Sequence, residues 1–274
     1  FDAIDGARPA PGKWRWYGYV DGIGGEETRR ARAQIGIAYL LAPDLTMGAQ
    51  AQVGWDDADL ALGGSSTLGS WGTSGFIAYA PKTGPQAIVS GTVAYLQADI
   101  TRGYMNGATP ATSSGETDGS TIGAKGRIGW RMQAGADSTF TPFASLTVSH
   151  SRFDGYSETS GPLPAVFSDF SGTSVISHLG VEADHMLPSG TLVWASAAWA
   201  HRADSDDTTV TGTVAGSLTL DSGSPVFDDD WFVFNAGTVH ALSSGSTVSV
   251  RGSLSVYESG GTNAGLHLGY SSDF

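Results

Sequence analysis

The chain has 274 residues, 39 of them glycine and none cysteine, and 14 Lys+Arg against 27 Asp+Glu give a formal charge of −13 with only 15% charged side chains. Such an acidic chain is a poor ligand for nucleic acid, and without cysteine it has no disulfides, no Cys zinc site and no thiol nucleophile. No run approaches the roughly 18 apolar residues of a transmembrane helix, and abundant Gly, Ser, Thr and Ala disfavour long helices of any kind.

Period-two alternation dominates the chain and predicts strands. From Ala31 the odd positions Ala31, Ala33, Ile35, Ile37, Tyr39 and Leu41 oppose Arg30, Arg32, Gln34, Gly36 and Ala38. After the turn signal Ala42-Pro43-Asp44, Leu45, Met47, Ala49, Ala51, Val53 and Trp55 oppose Thr46, Gly48, Gln50, Gln52, Gly54 and Asp56. Ile122, Ala124, Gly126, Ile128, Trp130 and Met132 oppose Lys125, Arg127, Gly129 and Arg131. Val248, Val250, Gly252, Leu254 and Val256 oppose Ser249, Arg251, Ser253 and Ser255. Finally Leu266, Leu268, Tyr270 and Phe274 oppose His267, Gly269, Ser271 and Asp273.

The pattern predicts twelve strands, at 14–23, 29–41, 45–56, 66–80, 86–102, 117–134, 139–153, 169–187, 190–204, 229–242, 246–258 and 262–274. Short turns fall at 42–44, 81–85, 135–138, 188–189 and 243–245. Mostly longer, polar loops fall near 24–28, 57–65, 103–116, 154–168, 205–228 and 259–261. Tight turns at one end and long loops at the other are the layout of outer-membrane barrels. An even strand number places both ends of the array on the turn side.

Alternation alone does not say which face is inside, since a soluble barrel would turn its apolar face inward. Two features favour the inverted arrangement. The polar faces carry Gly, Ser, Thr, Gln and Arg rather than the Lys/Glu mixture of a solvated surface. The apolar faces are free of charge, and Tyr39, Trp55, Trp130, Tyr270 and Phe274 lie towards their ends like interfacial girdles. The expected fold is therefore all-β, a 12-stranded antiparallel transmembrane β-barrel of the outer-membrane type.

Taken together the residues from Trp14 to Phe274 resemble the translocator β-domain of bacterial autotransporters, the type V secretion proteins of Gram-negative bacteria. Ala31–Tyr39 followed by Leu45-Thr46-Met47-Gly48 is similar to that family's second and third strands. Ala98–Arg102 before a loop, then Asp118-Gly119-Ser120 entering a Gly-rich strand, resembles its central hairpin. Thr141-Pro142-Phe143-Ala144 resembles a recurrent strand start, and Leu266, Leu268, Tyr270 and Phe274 resemble the C-terminal assembly signal of outer-membrane barrels. The resemblance implies residence in the outer membrane, among its lipid and lipopolysaccharide. It also implies export of the chain's own N-terminal passenger and linker segment to the cell surface, insertion by the barrel-assembly machinery, and a monomer. Residues 1–13, with Pro9, Pro11 and Gly12, are expected to be a linker remnant leading out of the lumen, and 14–274 the barrel. Some members cleave themselves at an Asn-Asn pair; Asn106, Asn235 and Asn263 are not adjacent, so that chemistry does not carry over.

The candidate site is a charged lumen: Arg30, Arg32, Lys125, Arg127, Arg131 and Arg251, with Glu182 and Asp184 of opposite sign. This set either forms a basic wall that meets a linker or translocating segment, or ion pairs that fill a polar interior. Asp184-His185 invites comparison with Asp/His outer-membrane proteases, but adjacent strand residues point to opposite faces. No nucleophile elbow, zinc-helix motif or dinucleotide loop occurs, so no catalytic residue, cofactor or metal is assigned. Any catalysis would belong to the passenger. Carboxylates at Asp56/Asp57/Asp59, Asp204/Asp206/Asp207 and Asp228–Asp230 fall on the loop side and read as solvated charge rather than calcium ligands. The alternatives from other classes are an outer-membrane porin or barrel enzyme, and a soluble β-rich adhesin module.

Overall fold

Branched apolar residues alternating with small polar ones form every long strand of the computed structural model, which describes residues 10–25, 28–203, 210–214, 218–222, 229–243 and 245–274. The strands are β1 (Trp14–Gly24), β2 (Thr28–Ala42), β3 (Leu45–Leu60), β4 (Gly64–Tyr79), β5 (Gly84–Asn106), β6 (Thr109–Gln133), β7 (Ser138–Phe153), β8 (Tyr156–Ser157), β9 (Ala165–Phe167), β10 (Phe170–Met186), β11 (Thr191–Arg202), β12 (Val210–Val214), β13 (Leu218–Ser222), β14 (Asp230–Ser243), β15 (Ser246–Tyr257) and β16 (Thr262–Asp273). Twelve of them close into an antiparallel barrel in which β1 pairs with both β2 and β16. The short strands β8, β9, β12 and β13 form a separate sheet.

The turn end is tight. Pro43-Asp44 joins β2 to β3 with Asp44 at φ 67°, a conformation Asp tolerates, and a register shift follows Leu40. Ala10–Lys13 turn back at this rim, where the Ala10 N–H donates to Asp273 Oδ2 at 3.2 Å. The expected linker remnant lies largely outside the described residues.

The barrel is inverted relative to a soluble one. On β6, Arg127 is 6% exposed and its neighbour Ile128 65%. Outward side chains form a lipid-facing belt: Ile35, Val53, Ile77, Val89, Leu179 and Leu268 are all exposed. Aromatics bound the belt, with Trp16, Tyr39, Tyr79, Trp130 and Tyr270 near the turns and Trp55, Trp71, Tyr95 and Trp199 towards the loops. Along β4 the interval from Trp71 to Tyr79 covers roughly 20 Å of membrane normal, at about 3.3 Å per residue and a tilt near 40°. That is close to the apolar band such barrels present.

Inside, aromatic rings lie over glycines of the neighbouring strand. A Cβ on Gly36 would sit 2.5 Å from the Tyr17 ring and 2.7 Å from the Ala49 carbonyl; one on Gly48 would sit 2.5 Å from Phe76; one on Gly269 would sit 2.5 Å from Tyr19. Gly119 under Phe153 and Gly180 beside Phe143 repeat the arrangement. Each ring fills the space its glycine leaves and couples adjacent strands. Many of the glycines that make the composition unusual are therefore sockets.

Four expected loops are corrected. The 103–116 segment is strand for most of its length: β5 and β6 continue to a turn at Gly107, in register from Arg102↔Ser113 to Asn106↔Thr109. Beyond Tyr95 this hairpin runs on for roughly 35 Å along the strand. β3 and β4 also extend through 57–65, to a short 3-10 turn at Ala61–Gly63. Segments 154–168 and 205–228 contribute the second sheet, joined through Gly212↔Phe167 and Tyr156↔Phe167. Above the membrane both faces of a strand are polar, so the alternation that marks strands within lipid fades there.

Gly36→Ala should lower the heating temperature at which the compact gel band is lost, corresponding to about 1–3 kcal/mol. Gly126→Ala, where a Cβ meets nothing within 4 Å, should leave it unchanged. Equal shifts would refute the socket role. Leu179→Arg, near the middle of the lipid face, should cost roughly 2–4 kcal/mol in urea unfolding from phospholipid. Gln52→Arg on the inward face should cost much less, and the reverse order would contradict the assignment of faces.

Candidate functional site

The charged lumen residues sort into clusters fixed by strand register. On one wall, Arg127 Nη2 donates to Glu182 Oε2 at 3.0 Å, and its guanidinium lies 3.8 Å from the Phe143 ring centroid. One turn-ward step away, Arg131 donates to Asp184 Oδ2 at 2.8 Å and to Thr139 Oγ1 at 3.0 Å, and Thr139 also donates to Asp184. Arg127 and Arg131 stand on β6 and the carboxylates on β10, so both pairs cross over the intervening β7. Side chains can bridge alternate strands in this way only on the concave side of a closed sheet. All four charges are held with little exposure, and the direct guanidinium–carboxylate contacts offset the cost of burying them.

A second cluster lies on β1–β3. Arg30 pairs with Asp56, its register partner on β3. Arg32 stands opposite Asp21 on β1 and Gly54 on β3, its stem running beside Gly54. Below them Tyr17 donates to Gln50 at 3.1 Å and Gln50 to Gln34 at 3.0 Å, a polar ladder across three strands. Arg251 lies apart from both clusters, opposite Gly237 and His267, and Lys125 stands between Ser90 and Thr147. The eight residues therefore form two clusters, with Lys125 and Arg251 at other places on the wall, rather than one site.

Sequence reasoning missed several partners. Asp56 reads both as the last position on the polar face of strand 45–56 and as part of a loop-side carboxylate run; the structure keeps the first reading and adds its ion pair with Arg30, which the sequence did not pair. Arg15 pairs with Asp273 across the β1–β16 seam, also an in-register parity match. Asp57 faces the other way and accepts from Thr67 at 3.1 Å. Among the described residues no three His, Asp or Glu side chains are placed to hold a metal; Asp204, Asp206, Asp207 and Asp228 lie outside them. Asp184 turns inward to Arg131, whereas His185 is exposed and shares a 2.8 Å hydrogen bond with Ser138. They share no proton path. Leu266, Leu268 and Tyr270 lie in a row on the lipid face of β16, with Tyr270 5.1 Å from Trp16, and the Phe274 N–H donates to the Trp14 carbonyl.

Residues 12–253 match the family described as the autotransporter beta-domain. The translocator domain of the autotransporter NalP from Neisseria meningitidis superposes with a TM-score of 0.77 at 15% identity, over 100% of this chain and 92% of that one. The beta domain of the Bordetella autotransporter BrkA gives 0.61 at 15% identity, over 95% and 98%. An uncharacterized protein in the trpE-trpG intergenic region of Pseudomonas putida is 29% identical over 149 residues, 53% of this chain and 25% of that protein. The chain thus spans about a quarter of the length of that curated relative. With a family match across most of its length and a closed twelve-stranded barrel that turns its apolar face outward, this chain belongs to the autotransporter beta-domain family and is an outer-membrane translocator barrel.

Proposed function

We propose that the lumen of this barrel is the conduit for a passenger N-terminal to the chain, and that its basic wall orients an acidic stretch of linker or passenger. One observation carries the reading. Among the described residues, inward positions hold Arg15, Arg30, Arg32, Lys125, Arg127, Arg131, Arg202 and Arg251, which outnumber Asp21, Asp56, Glu182, Asp184 and Asp273. A chain of formal charge −13 therefore encloses a lumen of the opposite sign. Low-dielectric walls focus that field along the axis, where it attracts carboxylates.

Ion pairing alone would also fill a polar lumen, and the two roles are separable. Arg127, Arg131, Glu182 and Asp184 brace β6 against β10, whereas Lys125 and Arg251 add positive charge elsewhere in the lumen. The row Leu266, Leu268, Tyr270 and Phe274 suits recognition by the barrel-assembly machinery, and the outward Trp/Tyr ring towards the loops suits a lipopolysaccharide leaflet. Hydrolytic or other catalytic activity belongs to the passenger in this reading.

Lys125→Glu with Arg251→Glu should reduce surface display of the full-length protein several-fold, read by protease shaving of intact cells, while heat-modifiable migration stays normal. Arg127→Glu with Glu182→Arg keeps both the pair and the net charge and should export normally. Full display from the first variant would sink the orienting role; failed display from the second, with a folded barrel, would count against charge sign as the determinant.

A further inference from the structure

The β5–β6 hairpin stands well beyond the outer aromatic ring, and its axis-facing side carries Arg102, Tyr104, Ser113 and Gly115, in phase with the buried Leu96, Ala98 and Thr117. The segment between β7 and β10 does not project away from the barrel. It seats on this inner side. Glu158, whose side chain is 1% exposed, accepts from Arg102 Nε at 2.9 Å, from Arg102 Nη2 at 2.7 Å and from the Ala165 N–H at 2.7 Å. Arg102 Nη2 also donates to the Leu163 carbonyl, and the Leu163 N–H donates to Tyr104 Oη. Charge-assisted, bidentate bonds of this kind are the strong ones.

Shape repeats the message. Gly161 adopts φ +85°, and a Cβ there would fall 2.2 Å from the Thr112 carbonyl, so the segment touches the hairpin backbone directly. The Tyr156 ring occupies the space above Gly115 and stacks on Phe167 at 4.8 Å. Hydrogen bonding to Glu158 raises Arg102 above its ordinary value; burial, and then Glu158, push the Tyr156 phenol up to about 12. Both groups keep their protons at any pH the cell surface meets.

From Phe167 the sheet continues through β12, which belongs to the connection between β11 and β14. The connection carrying β8 and β9 thus hydrogen-bonds to the axis side of the β5–β6 hairpin and, through β9 and β12, to the connection between β11 and β14, which stand three and four strands along the wall from β6. A sheet held on the inner side of the hairpin and reaching wall strands further round overhangs part of the lumen mouth.

We propose that these outer connections form a lid over the barrel's exit, with the Arg102–Glu158 pair as its latch. The inference rests on the barrel fold and not on the export reading, so either can fail alone. With the latch closed the conduit is narrowed at the cell surface; releasing it gives up the bidentate Arg102–Glu158 bonds and the Glu158–Ala165 bond, which keeps the closed state dominant.

The test is single-channel recording of the refolded chain in planar phospholipid bilayers, with folding checked by heat-modifiable migration. Arg102→Ala, and independently Gly161→Val, which lifts the segment by bulk alone, should each raise the time spent in the high-conductance state by about tenfold or more. Folded variants with wild-type conductance would overturn the lid, as would a wild-type pore that is already fully conducting. Amide hydrogen exchange on the wild-type barrel provides a second reading that needs no variant. Glu158 and Ala165 amides should be protected to the level of barrel strands, and exchange at open-loop rates would refute the latch.

Discussion

Every backbone N–H and C=O that enters hydrocarbon must find a partner within the protein, and a sheet meets that demand only by closing on itself. The β1–β16 seam is where this chain does so. Its register runs unbroken from Arg15↔Asp273 to Gly24↔Ala264. Closure is not left to backbone bonds alone: the Arg15–Asp273 ion pair holds the turn end, Tyr19 covers Gly269 from inside, and Trp16 meets Tyr270 from outside. First and last strands are thus joined on both faces of the wall. Once the seam is closed, the parity of every residue is fixed, and with it the choice between lipid and lumen.

That parity explains how one composition supports two solvents. Branched aliphatics and aromatics fill the outward positions, where dispersion contacts with lipid replace a protein core. Inward positions are mostly small, which leaves room for Tyr17, Phe76 and Phe143 to lie across glycines of the next strand. The rings supply the packing that a hydrophobic core gives a soluble domain. They leave the charged pairs on β6 and β10 in a wall that is polar yet well filled, where the stacked Phe143 limits water around Arg127.

The membrane-embedded part of this architecture was legible because two periodic signals coincide there. Ile35 and Ile37 against Gln34 and Gly36 mark a strand with one apolar and one polar face, and the Gly/Ser/Thr/Gln/Arg character of the polar faces together with the aromatic girdles turns the apolar face to lipid. Strand positions, turn positions and the outward apolar face follow from such stretches. Above the outer aromatic ring the second signal vanishes. Thr109–Glu116 faces water or polar loops on both sides, so nothing in its pattern distinguishes a long hairpin from a loop. Arg102 and Glu158 lie 56 residues apart in different connections, and only the fold brings them together. The place of Asp56 on the polar strand face was legible, but its pairing with Arg30 was not, because its acidic neighbours also made it part of a solvated run.

Charge is partitioned along the same lines. Outer carboxylates such as Asp57, Asp99 and Glu116 stand on the outward face of strands that rise past the lipid, while cations collect inside. The excess of acid over base is thus a property of the rim, and the lumen has the contrary sign. An acidic segment approaching from the periplasm would meet attraction throughout the wall and repulsion only after leaving it. The lid adds a second asymmetry in the same direction, since its latch is made from residues on the outer side alone. A barrel with a cationic bore, an anionic rim and a closure built from its own surface loops is polarised along its axis. That polarity follows from which residues face inward and how far each hairpin extends, with no moving part required in the wall itself.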